Sequence, residues 1–135
     1  MDIPKWLKRI SVQDSDEAYK KFYENLKNRK FTTTKCKNCQ KLFFPPKILC
    51  PDCFSFEIEW VELSGRGRIY AFSQYDRSLI FGPPDVIGLI ELEEGIGRIF
   101  AKIEAPLEKL KIGQEVRIDY EDISPEFTLC KFIPL

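Results

Sequence analysis

The sequence predicts a mainly β protein with helices at its N-terminus, a small ribbon folded around four cysteines, and a five-stranded barrel after it. Three observations carry this. Residues 14–30 place apolar side chains at helical spacing, residues 36–53 hold two Cys-x-x-Cys pairs, and from Gly65 onward the chain breaks into five short segments in which apolar and polar residues alternate. The 135 residues thus divide into an N-terminal helical segment (1–30), a ribbon (31–63) and a barrel (64–135). A chain of this length holds one ordinary domain, or two small modules that share a core. Hydrophobic residues at 44% and charged residues at 31% lie in the globular range and exclude a disordered or collagen-like chain.

The helical segment opens at Asp14, whose side chain and that of Glu17 can form a capping box. Ala18, Phe22 and Leu26, with Tyr19 and Tyr23 beside them, then make one apolar face. Lys20, Lys21, Lys27 and Lys30 lie away from its centre. They read as the solvated side of an amphipathic helix, with a basic face meeting phosphates or an acidic partner as the alternative. A shorter helix is expected around Trp6 to Ile10, with Pro4 in or just before its first turn.

In the ribbon, short extended stretches replace the helical period. Cys36-x-x-Cys39 and Cys50-x-x-Cys53, ten residues apart, are two turns that can each aim a pair of thiolates at one ion and so complete a tetrahedron. A site filled by four sulfurs leaves no position for water or substrate, so the ion is structural. Zinc is the leading reading. A pair of disulfides and a rubredoxin-like iron site use the same residues and stay open. Low Asn and Gln with many Lys, Glu and Ile fit a hot habitat, where intracellular disulfides do occur.

The barrel strands are RIYAFSQYDR, DVIGLIELEEG, IGRIFAKIEA, EVRIDYED and FTLCKFIPL. Val86, Gly88, Ile90 and Leu92 alternate with Ile87, Leu89 and Glu91, and Ile99, Ala101 and Ile103 repeat the period of two. Glu94-Gly95 is expected as a tight hairpin turn between them, and Gly65-Arg66-Gly67 as a bulge or bend. Five short strands match the strand count of the oligonucleotide/oligosaccharide-binding (OB) barrel. Phe43, Phe44, Phe54, Phe56, Trp60, Tyr70, Phe72 and Tyr75 gather near the ribbon and the first barrel strand. Most are expected to fill the junction core, the remainder to line an apolar groove.

Several chemistries are excluded. The chain has no histidine, which removes the commonest general base and every Ser/His/Asp triad. Cys130, the fifth cysteine, sits in an apolar strand pattern and reads as a buried, inert thiol. Glu91, Glu93 and Glu94 read as a solvated loop, and no glycine-rich phosphate cradle is present. Catalytic residues are therefore expected to be absent. Residues 64–135 carry nine basic and twelve acidic side chains, so the barrel lacks the basic stripe of an oligonucleotide binder. No run approaches the length of a membrane span and the start, MDIPKWLKRI, lacks the apolar core of an export signal, so a cytoplasmic protein is expected.

Taken in order, these features resemble the thiolase-associated zinc-ribbon/OB-fold proteins, long catalogued as a domain of unknown function. The residues that carry the resemblance are Cys36, Cys39, Phe44-Pro45-Pro46-Lys47, Cys50-Pro51-Asp52-Cys53, the stretch from Trp60 to Gly67, and Ile112-Gly113-Gln114-Glu115-Val116. The chain departs from the family pattern at Gln40, where glycine is common, at Phe54 after the fourth cysteine, and at Lys47, where arginine is frequent. The resemblance implies a non-catalytic, acyl-CoA-binding scaffold or accessory subunit of a thiolase or hydroxymethylglutaryl-CoA synthase type complex. Coenzyme A asks for a few cations beside an apolar slot, and the candidates are Lys47, Arg66, Arg68 and Arg77. Two other functions compete: a single-stranded nucleic-acid-binding module, which the charge distribution disfavours, and an accessory domain of an enoyl-CoA hydratase or aldolase.

Overall fold

A computed structural model describes residues 17–75 and 85–135. Its elements are helix α1 (Glu17–Lys27), a ribbon of β1 (Thr32–Cys36), β2 (Leu42–Phe43) and β3 (Ile58–Glu62), and the barrel strands β4 (Arg66–Tyr75), β5 (Asp85–Leu92), β6 (Arg98–Ile103), β7 (Glu115–Ser124) and β8 (Phe127–Pro134). The expected helix near Trp6 and the capping residue Asp14 lie outside the described residues, as does Arg77.

The helix forms as its spacing predicts: Ala18, Phe22 and Leu26 are buried and the lysines face out. The ribbon sheet runs β2-β1-β3, both pairings antiparallel. Its central strand carries three buried threonines, and each hydroxyl has a partner. Asn25 donates to Thr32 Oγ1 at 2.9 Å, Thr33 donates to the Phe43 carbonyl, and the Lys47 backbone N–H donates to Thr34 Oγ1 at 2.9 Å. Burial without those bonds would cost roughly 1–3 kcal/mol per hydroxyl, so these residues fix helix, ribbon and the Lys47 loop together.

The barrel closes in the order β4-β5-β6-β8-β7, with β7 paired back onto β4. All its pairings are antiparallel except β6 with β8, the crossover that distinguishes the OB arrangement from a simple meander. On β5 the inward residues are Val86, Gly88, Ile90 and Leu92, as the alternation predicts. Ile69, Ile90, Ile103, Val116 and Phe132 make its nearly water-free centre.

Two local expectations change. Between β5 and β6 the chain needs a five-residue loop, Glu93 to Gly97, because the Leu92 N–H reaches the Gly97 carbonyl at 3.0 Å. In the Gly65-Arg66-Gly67 stretch, Gly65 makes the bend at φ 77° where its carbonyl receives the Ile118 N–H at 2.7 Å, while the bulge itself falls later, between Ile69 and Ala71.

A second core, of Phe22, Leu26, Phe31, Leu63 and Leu92, ties helix, ribbon and barrel together. Phe31 meets Phe22, Phe44 and Phe132 with ring centroids 6.1, 5.9 and 6.4 Å away. Of the eight aromatic residues expected there, Phe54, Phe56, Tyr70 and Tyr75 are instead exposed, at 70%, 75%, 47% and 43%. Phe54 sits in the second cysteine turn, Phe56 just beyond it, and two point outward from β4, so the strand alternation that buries Ile69 exposes Tyr70. Glu93 and Glu94, expected in solvent, hold the ribbon–barrel link: Ser64 Oγ donates to Glu93 Oε2 and the Ser64 N–H to Glu94 Oε2, both at 2.8 Å. Among the described residues no helix is long and apolar enough to cross a membrane.

Candidate metal centre and ligand groove

The four ribbon cysteines converge from two turns built on one plan. The N–H of Cys36 bonds the Lys41 carbonyl at 2.9 Å and the N–H of Cys50 bonds the Ser55 carbonyl at 3.0 Å, so each turn closes five residues after its first cysteine. The residue after each second cysteine takes a left-handed backbone: Gln40 at φ 65° and Phe54 at φ 60°. Glycine is the residue suited to that conformation, which gives a physical reason for its frequency in the family pattern.

All four sulfurs lie within 4.8 Å of one another, with Cys36 Sγ to Cys53 Sγ at 3.5 Å and Cys39 Sγ to Cys50 Sγ at 3.6 Å. A tetrahedral ion with sulfurs at about 2.3 Å has sulfur–sulfur edges of about 3.8 Å, so the cluster has the size that zinc, or iron, requires. A disulfide needs about 2.05 Å, and all five cysteines are free thiols. The electrostatics point the same way. A backbone N–H bond from Ser55 and the Asn38 amide, 3.7 Å from the sulfur, lower the Cys53 thiol to about 6. Cys39 goes the other way: against the Lys41 backbone bond that favours its thiolate, desolvation and the neighbouring sulfurs push it up to about 12. The neighbouring sulfurs thus favour the thiolate at Cys53 and oppose it at Cys39, and a dication at the centre would favour all four thiolates together.

At the junction of helix, ribbon and barrel, α1, the Phe44-Pro45-Pro46 segment and the barrel wall line a groove of about 580 Å³. Tyr19, Phe22 and Tyr23 come from the helix, Ile87 from β5, Ile99 and Phe100 from β6, Ile123 from β7, and Leu129 and Cys130 from β8. Its charged residues are Asp85, Lys102 and Glu121, and Lys102 Nζ lies 3.7 Å from Asp85. Burial pushes the Cys130 thiol up to about 11, which keeps it protonated and unreactive at neutral pH.

Of the sequence-derived cation candidates, Arg77 lies outside the described residues, and Lys47, Arg66 and Arg68 do not line this groove. Arg66 and Arg68 line a smaller cleft beside Glu91, Glu93 and Glu115, where Arg68 bonds Glu115 at 3.2 Å. Lys47 lines a third cleft with Ile48, Pro51 and Phe54. Sequence reasoning missed Lys102 and most of the groove lining; Phe44-Pro45-Pro46 was the one signal that pointed there.

A five-stranded OB barrel carrying a four-cysteine ribbon defines a zinc-ribbon/OB-fold protein. Comparison with known proteins agrees in both halves: residues 24–59 match a family described as "ChsH2, rubredoxin-like zinc ribbon domain" and residues 60–121 match "ChsH2, C-terminal OB-fold domain". A solved structure described as "Ltp2-ChsH2(DUF35) aldolase" superposes with a TM-score of 0.80 and 30% identity over 92% of this chain and 97% of that one. A "DUF35 domain-containing scaffold protein" of Methanothermobacter thermautotrophicus is 31% identical over 70% of this chain and 74% of its own length. The chain belongs to the DUF35 family of ChsH2-type zinc-ribbon/OB-fold proteins. A "Probable enoyl-CoA hydratase alpha subunit" of Thermomonospora curvata is 32% identical over 97% of this chain, which spans only 41% of that relative's length. A "Benzoylsuccinyl-CoA thiolase subunit BbsA" of Thauera aromatica is 36% identical over 62% of this chain and 58% of its own length.

Proposed function

We propose that this chain is a non-catalytic accessory subunit of a thiolase or hydroxymethylglutaryl-CoA synthase type complex, that it binds acyl-CoA there, and that Cys36, Cys39, Cys50 and Cys53 hold one structural zinc ion. The observation that carries the reading is the apolar groove at the junction of helix, ribbon and barrel: it is a built cavity, yet it contains no histidine and its one thiol is held protonated. A groove whose wall is mainly apolar, and whose ammonium already faces a carboxylate, suits holding and positioning a ligand. Relatives named as a scaffold protein and as a thiolase subunit support this. In such an assembly the zinc takes no part in the reaction; it fastens the ribbon whose Phe44-Pro45-Pro46 segment forms one groove wall. Linking two enzymes through such a subunit raises the effective concentration of an intermediate passed between them.

A second reading, an accessory subunit of an enoyl-CoA hydratase or aldolase, is favoured by the relative named as a hydratase α subunit and by the aldolase structure. Co-expression separates the two. The chain is expressed with its own organism's thiolase, hydroxymethylglutaryl-CoA synthase, hydratase and aldolase candidates in turn, and the complexes are resolved by size-exclusion chromatography. Co-elution with a thiolase or synthase supports the first reading and co-elution with a hydratase or aldolase the second. Elution alone in every case, with no acyl-CoA binding by calorimetry, ends both. Elemental analysis of the purified protein distinguishes zinc from iron.

A further inference from the structure

We infer that the groove between α1, Phe44–Pro46 and the barrel wall takes an extended or ring-bearing apolar acyl chain presented as a neutral thioester, not an acetyl group and not a free fatty acid. The inference rests on the acyl-CoA reading above and narrows it to one part of the ligand.

Size comes first. At about 580 Å³ the groove lies within the range of roughly 300–1,000 Å³ in which small-molecule sites fall. A two-carbon acyl group would leave most of it unfilled, and unfilled apolar wall contributes nothing to affinity. Filling it with methylenes contributes about 0.8 kcal/mol for each one taken from water.

Charge then divides the apolar ligands. Among the described residues, Asp85 and Glu121 line the groove against the single ammonium of Lys102, which already lies 3.7 Å from Asp85. A fatty-acid carboxylate would find no free cation among them and two like charges. A thioester carries no charge and is not opposed. The same count argues against the phosphates of coenzyme A entering the groove, so the nucleotide end is left outside while the acyl end is held.

The test uses N-acetylcysteamine thioesters, which present the acyl group without coenzyme A, titrated into the 135-residue chain by calorimetry. The octanoyl thioester is expected to bind at one site, at least about tenfold more tightly than the acetyl thioester, as several buried methylenes require, and more tightly than octanoate. Ile123→Trp and Leu129→Trp add bulk at groove positions that are 47% and 36% exposed, so they fill the cavity without touching the barrel core. Each is expected to weaken octanoyl thioester binding about tenfold or more with an unchanged circular dichroism spectrum and melting curve. Equal affinity for acetyl and octanoyl thioesters, preference for octanoate, indifference to both tryptophan variants, or absence of binding by any thioester would each overturn the inference. Absence of binding would place another segment of the chain, or a partner protein, in the groove. Octanoyl thioester binding by a chain that elutes alone from every co-expression would sink the subunit reading and leave the groove assignment standing. An acyl-CoA-dependent complex indifferent to both tryptophans would do the reverse.

Discussion

Arg29 grips the carboxylate of Asp122 with both terminal nitrogens, at 3.0 and 2.8 Å, and so ties the end of helix α1 to the far end of strand β7. Arg29 is the residue that ends the helix. Its N–H bonds the Leu26 carbonyl at 2.9 Å, the next N–H, from Lys30, bonds the Asn25 carbonyl at 2.9 Å, and its own backbone is left-handed at φ 61°. That is a Schellman terminus, where glycine is the usual residue. The arginine is strained there, and what it offers in return is the two-pronged pair, reinforced by Thr128 donating to Asp122 at 2.6 Å.

A pH dependence follows from this pair. The Arg29 guanidinium, then the Thr128 hydroxyl, hold the Asp122 carboxyl well below the usual carboxylate range. An acid whose folded-state pKa is depressed takes up its proton more readily in the unfolded chain. Its contribution to stability is therefore complete above the unfolded value of about 4 and is lost as pH falls through the folded one. Urea midpoints of the wild type are expected to fall from pH 5 downward more steeply than those of Asp122→Asn, and parallel curves would contradict this. Arg29→Gly is expected to lose less stability than Arg29→Ala, because both remove the pair and only glycine relieves the backbone.

The cysteine turns make the same argument without an ion pair. Phe54 at φ 60° is 70% exposed, so its ring returns little burial for a left-handed backbone. Phe54→Gly is expected to stabilise the zinc-loaded protein by about 1 kcal/mol. Gln40→Gly should gain less, since Gln40 Nε2 donates to the Lys37 carbonyl at 2.7 Å and that bond is lost. Thermal melts of the two variants at fixed zinc concentration decide it. A lower melting point for Phe54→Gly would show that the ring's contacts in its cleft with Ile48 and Pro51 outweigh the strain.

How much of this was legible in the sequence depends on range. Val86, Gly88, Ile90 and Leu92 could be assigned to the inner face from the strand period alone, and the cysteines from their spacing, because both are local patterns. The parallel pairing of Lys102 with Lys131 and Ile103 with Phe132 depends on which distant strands meet, and no local pattern encodes that. The groove was hidden for the same reason: Tyr19, Phe44, Ile87 and Leu129 are scattered over more than a hundred positions. For Arg68 the charge type was visible in the sequence, whereas its facing partner, Glu115, was not.

Two barrel glycines should respond differently to alanine. At Gly88 a Cβ would come within 2.6 Å of both the Ala71 carbonyl oxygen and Ile103 Cδ1, one of them backbone that cannot step aside. Gly88→Ala is expected to cost about 2 kcal/mol or more by overpacking. Gly95 has open space around it but a φ of 72°, so Gly95→Ala should cost about 1 kcal/mol through backbone strain alone. Urea denaturation of both gives the order, and a larger loss at Gly95 would contradict the packing described for β5.

Metal removal should separate ribbon from barrel. The cluster of Cys36, Phe43 and Cys50 is a small core by itself, and zinc bound to such thiolates is worth on the order of 10–16 kcal/mol coupled to folding. The barrel has its own centre in Ile69, Ile90, Val116 and Phe132, none of which depends on the cysteines. Chelation, or Cys50→Ser, is therefore expected to abolish amide protection across residues 32–62 in hydrogen exchange while β5, β6 and β7 stay protected. The junction should loosen between these extremes, because Phe31 bridges the two cores by packing on both Phe44 and Phe132. Cys130→Ser should keep the full metal content, since that thiol lines the groove away from the cluster. Loss of barrel protection together with the ribbon would show one cooperative unit, and would make the metal a requirement of the groove itself.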